Sequence, residues 1–178
     1  PHDMGQYPLA NGQVYGLNHA THVLDEKDQM PVEESGNMLL CVAAVCKAEN
    51  SLDYAVKHKE ILTRWADYLV SVGWNPENQL CTDDFAGHLA NNVNLAIKAL
   101  VGIEAFSIIC KLLDKKDLAD EYKEKAEIFA KELKLLVDGD VMPLAYGQDG
   151  TYSLKYNILF DKLFGWNLIG QEVCEREV

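Results

Sequence analysis

The sequence predicts an all-α fold of helical hairpins arranged in two layers, and three observations carry that prediction. Beyond residue 30, apolar residues recur at helical rather than alternating spacing. Segments apolar on nearly every side alternate with segments apolar on one face only. Polar loops containing Gly, Asn or acidic doublets separate them.

Residues 1–30 are rich in Gly, Pro, Asn, His and Asp without periodicity, which predicts a long ordered loop. An inner helix is expected from Met38 to Val45, a run with almost no polar face. The segment from Asp53 to Val72 is amphipathic: Ile61, Leu62, Trp65, Leu69 and Val72 share a side, and Lys57, Lys59 and Glu60 lie off it. A second inner helix is expected from Val93 to Leu113. A second outer helix follows, its stripe formed by Leu118, Tyr122, Ala126, Phe129, Leu133 and Leu136. The last inner segment, Leu154 to Phe164, has Ser153 as a candidate N-cap and Gly165 as a stop, with Tyr156, Phe160 and Phe164 at packing spacing. The order inner, outer, inner, outer, inner resembles part of an (α/α)6 barrel. Such a barrel needs more helices than these, so residues 1–178 are expected to form a single helical domain, a fragment of a larger multidomain protein.

Composition narrows the function classes. The 16 Lys+Arg against 28 Asp+Glu give a net charge of -12, which opposes binding to nucleic acid or an anionic membrane. No uninterrupted apolar run reaches the length of a membrane span, because Asn94, Lys98, Glu104 and Lys111 interrupt the longest candidate. The five cysteines are odd in number, and Cys41, Cys46 and Cys110 fall in apolar runs, which predicts buried free thiols rather than disulfides or a zinc site. No metal or cofactor is expected; calcium among the carboxylates would be chemically reasonable, but no loop has its ligand spacing. Walker, Rossmann, HExxH and GxSxG patterns do not occur.

Two acidic doublets, Glu33-Glu34 and Asp83-Asp84, precede the inner helices. Adjacent helical residues point about 100° apart, so one member of each doublet can face a cavity while the scaffold holds the other. Glu34 and Asp84 are the candidates for general acid–base work. Gly36 in the middle of the first motif costs a helix about 1 kcal/mol relative to Ala unless a close approach requires it. If the second inner helix begins at Thr82, then Asp84, His88 and Asn91 share a face that Lys98 extends. The candidate substrate-binding residues are His2, Asp3, Glu33, Asn37, Asp83, Asn91, Asn92 and Tyr156. The plain alternative is that the doublets complement helix dipoles and the polar stripe is a satisfied buried network.

The strings PHDMG and YPLANG, then MPVEESGNMLL, LCTDDFAGHLANNVNLAIKALVGIEAF and YSLKYNILFDKLFGWNL, closely resemble the glutaminase A family of fungi and bacteria over essentially the entire chain. The resemblance implies a helical domain similar to six-hairpin glycosidases, hydrolysis of L-glutamine to L-glutamate and ammonia, and a secreted or periplasmic parent protein. The expected partners are therefore a small-molecule substrate, glutamine or a sugar, and the remainder of the parent chain. Two other functions compete. A glycoside hydrolase or sugar-binding domain would place the Glu34 and Asp84 carboxyls roughly 5–5.5 Å apart for retention or 6.5–9.5 Å for inversion. A non-catalytic scaffold would use the doublets as caps alone.

Overall fold

A computed structural model of the chain describes residues 30–82, 87–136 and 141–177. The fold there is helical. Seven helices run in order: α1 (Pro31–Glu49), α2 (Asp53–Lys57), α3 (Lys59–Val72), α4 (Val93–Leu112), α5 (Lys116–Leu136), α6 (Ile158–Phe164) and α7 (Gln171–Arg176). Two isolated bridges, Gln79 with Leu89 and Asn92 with Ala145, are the β pairings among the described residues.

The centre of the fold is α4. It packs against α1, α3 and α5, and α1 also packs against α3. Nearly all of α4 is buried, from Val93 to Cys110, as its apolar surface on every side requires. By length and composition it is also apolar enough to cross a membrane, but 94% of its most apolar window is buried inside this domain. The polar interruptions noted in the sequence do not lower its mean hydropathy enough to hide that property. The amphipathic helices behave as outer elements: α3 buries Leu62, Trp65, Ala66 and Leu69, and α5 buries Ala119, Tyr122, Ala126, Phe129, Ala130 and Leu133.

Several boundaries differ from the sequence expectation. The first helix starts at Pro31, well before Met38, so the doublet Glu33-Glu34 forms its first turn. Proline suits that position because its missing N–H would have no helical partner. The next N–H, from Val32, donates to Gln79 Oε1 at 3.0 Å, so a distant side chain caps the helix. The single helix expected from Asp53 to Val72 is broken at His58, whose ring lies 4.4 Å from that of Tyr54. α6 begins at Ile158 rather than Leu154, and Ser153 does not cap it; the Ser153 hydroxyl accepts from Lys155 Nζ instead. Gly165 ends α6 with φ 70. The inner assignment of α6 fails, since Leu159 is 56% and Leu163 69% exposed. Cys41 is exposed, on the solvent side of α1, while Cys46, Cys81 and Cys110 are buried and all described cysteines are free.

The largest correction concerns the expected helix start at Thr82. Residues 87–92 are not helical; Gly87 and Asn91 have φ of 60 and 61, values incompatible with a right-handed helix. Asn92 is the true N-cap, its side-chain oxygen accepting from Leu95 N at 3.1 Å. The stripe through His88 and Asn91 therefore does not form.

Candidate carboxylate site

Where α1 crosses α4 the two backbones nearly touch. A Cβ on Gly102 would lie 3.0 Å from the Gly36 Cα, and one on Gly36 would lie 2.6 Å from Cγ of Lys98. Gly36 is thus required by the Lys98 stem, which lies across it. That packing carries the Lys98 ammonium, 1% exposed, to the first turn of α1.

There it meets Glu33, which is fully buried. Glu33 Oε1 lies 3.4 Å from Lys98 Nζ and 3.5 Å from Asn157 Nδ2. Glu33 Oε2 accepts from Tyr156 OH at 2.8 Å and from the Thr82 N–H at 3.0 Å. Four donors and the positive end of the α1 dipole surround one carboxylate. Such surroundings fix the carboxylate in one place.

The neighbouring Glu34 has different company. Its Oε1 accepts from Asn37 Nδ2 at 3.1 Å, and Asn37 Oδ1 accepts in turn from Lys98 Nζ. Glu34 retains 8% exposure against 0% for Glu33, which leaves it the member of the doublet with access to solvent. Burial lowers the Lys98 pKa, and the attraction of Glu33 and then Glu34 opposes that shift. The ammonium also sits 4.3 Å from the Phe160 ring centroid, a favourable cation–π contact. Burial, and then the negative Glu33, push the Tyr156 hydroxyl pKa up, so it stays a donor. Asn157 is clamped to α4 through Asn94: its N–H donates to Asn94 Oδ1 at 3.2 Å and its Nδ2 to the Asn94 carbonyl at 2.9 Å.

Of the candidates drawn from the sequence, the structure brings together Glu33, Glu34, Asn37 and Tyr156. It spends Asn92 elsewhere, on the α4 cap and a 3.7 Å contact from Nδ2 to Cys81 Sγ. Asn91 serves a turn, its N–H bonded to the Pro76 carbonyl and its carbonyl to Tyr146 N. His2, Asp3, Asp83 and Asp84 lie outside the described residues. Asp161 is structural, receiving the N–H groups of Leu168 and Ile169. Sequence reasoning missed Lys98, Asn157 and the Thr82 backbone as partners of Glu33. The usable signal was a charged residue at the middle of an apolar helix, since a buried charge demands a counter-charge. Among the described residues, no group of three or more His, Cys, Asp or Glu is placed to hold a metal.

An all-α domain with a buried carboxylate cluster at the entry of its first helix defines the structural class. The profile of the Glutaminase A six helical-hairpin domain matches residues 1–178, and the chain belongs to that family. It is 36% identical over 182 residues to Glutaminase A of Aspergillus oryzae (strain ATCC 42149 / RIB 40), covering 99% of this chain and 25% of that protein. It is 37% identical over 123 residues to a probable glutaminase of Arthroderma benhamiae (strain ATCC MYA-4681 / CBS 112371), covering 65% of this chain and 14% of that protein. The chain thus spans a quarter or less of the length of these relatives. No solved structure matches.

Proposed function

We propose that the chain supplies the helical domain of a glutaminase-type amidohydrolase, with Glu34 as general base. The observation that carries this reading is the division of the doublet, one carboxylate locked by four donors and its neighbour left with access. Water is deprotonated by Glu34 as its oxygen attacks the side-chain amide carbon of L-glutamine. The protonated Glu34 then returns the proton to the departing nitrogen, giving L-glutamate and ammonia. Glu33, Lys98 and Asn37 are positioning residues in this scheme, fixing the Glu34 side chain through Asn37. Asp83 and Asp84, with His2 and Asp3, are the proposed source of groups that bind the zwitterionic end of the substrate. The reading requires no metal, and the relatives' names support a parent protein of the same activity, secreted or periplasmic as the resemblance implies.

The test incubates the full-length parent with L-glutamine and with a panel of aryl glycosides, measuring ammonia and released aglycone. Ammonia without aglycone is the expected result. Aglycone without ammonia would replace this reading with a glycosidic one, and neither product would leave a scaffold.

A further inference from the structure

A cleft opens between the C-terminal half of α4 and the N-terminal half of α5, with a volume of about 470 Å³, within the range of small-molecule sites. Its floor holds Glu104 beside Ile108 and Ala119, and Lys111, Lys116 and Lys123 stand on its rim. Glu104 is 4% exposed, and its Oε2 has no hydrogen-bond partner among the described residues. The Ser107 hydroxyl, which also lines the cleft, is committed elsewhere, donating to the Ala119 carbonyl at 2.8 Å. A buried acceptor without a donor is uncommon and costly in folded proteins. Six residues separate Glu104 from Lys98, about 9 Å along the helix, so this carboxylate is not part of the Glu33 cluster.

We infer that this cleft is a binding site for a small zwitterion of the amino-acid type, its ammonium on Glu104 and its carboxylate on the rim lysines. The depth order of the charges selects the ligand. An acid at the floor rejects an anion entering first, and the acids that line the cleft are not grouped closely enough to give a divalent cation the several oxygen ligands it takes. A compact ammonium at the floor gives the Glu104 carboxylate a charge-assisted bond. Asp114 and Asp120 also line the cleft, so its rim is mixed in sign and does not suit a polyanion. Ile108 and Ala119 provide a short apolar wall for the ligand's carbon chain.

The test is calorimetric titration of the full-length parent carrying Glu34→Gln, with L-glutamate and L-glutamine as probes and methylammonium and acetate as half-ligands. Binding is expected, and adding Glu104→Gln weakens it about tenfold or more, the usual scale for losing a buried charge partner. Lys111→Ala with Lys123→Ala weakens L-glutamate while leaving methylammonium unchanged. Ile108→Trp, which fills the cleft without altering its charge, abolishes the component of binding that Glu104→Gln weakens and leaves binding at the Glu34 site in place. Affinity unchanged by Glu104→Gln overturns the inference. So does the absence of binding, as when the rest of the parent chain occupies the cleft. Because the readout is binding, the outcome is separable from glutamine turnover, which Glu104→Gln is expected to leave unaltered in the otherwise native parent.

Discussion

Glu33 and Glu104 are both buried carboxylates on helices that cross the same core, yet they have opposite chemical lives. Glu33 is surrounded by Lys98, Tyr156, Asn157 and the Thr82 N–H. Glu104 has an oxygen without a partner among the described residues, and burial raises its pKa against the pull of Lys123. Depth alone therefore does not decide what a buried acid does; the supply of donors does. Lys98 makes the difference at the first site, and Gly36 makes room for Lys98.

The largest expected effect comes from removing that cation. Lys98→Met leaves Glu33 buried without its counter-charge and should cost about 3–5 kcal/mol in urea unfolding. Adding Glu33→Gln should recover much of the loss, because the pair then disappears together. A loss of under about 1 kcal/mol would mean that the two carboxylates are less different than described. Next comes Gly36→Ala. Alanine favours a helix by about 1 kcal/mol, but its Cβ would sit 2.6 Å from the Lys98 stem, and crowding of that kind costs about 1–3 kcal/mol. A net fall in melting temperature is expected, and a rise would show that the stem moves aside freely.

The smallest effect sharpens the other side of the comparison. Burial raises the Glu104 pKa above its ordinary 4.5, so folding penalises its charged form relative to the unfolded chain. The stability this contributes is present below the unfolded pKa and is lost as pH rises through the folded one. Glutamine mimics the neutral acid at every pH. The stability advantage of Glu104→Gln over the native protein should therefore grow from about pH 4 upward and then level off. A pH-independent difference between the two proteins would show that Glu104 is ionised as easily as an exposed acid.

Much of the fold was legible because hydrophobic period and burial are linked: α4, apolar all round, is the central helix, and α3 and α5, apolar on one face, lie outside it. Gly36 announced a close approach but not its partner, since the contact with Lys98 joins distant parts of the chain. The segment before α4 misled for a local reason. The spacing of Asp84, His88 and Asn91 imitates a helix, and only the left-handed backbone at Gly87 and Asn91 together with the Asn92 cap shows that it is not one. The break at His58 carries no Gly or Pro to mark it. α6 read as an inner helix because its apolar positions suit one, but Leu159 and Leu163 meet no neighbour among the described helices that buries them.

The division of labour within the doublet is tested most directly by comparing Glu34→Gln and Glu33→Gln in the full-length parent, measuring ammonia release from L-glutamine beside urea unfolding. Glu34→Gln should lower turnover by about 10²–10⁴-fold with a stability change within about 1 kcal/mol, whereas Glu33→Gln should cost several kcal/mol by stranding Lys98. Full turnover by Glu34→Gln, with turnover lost in a stably folded Glu33→Gln, would contradict the account.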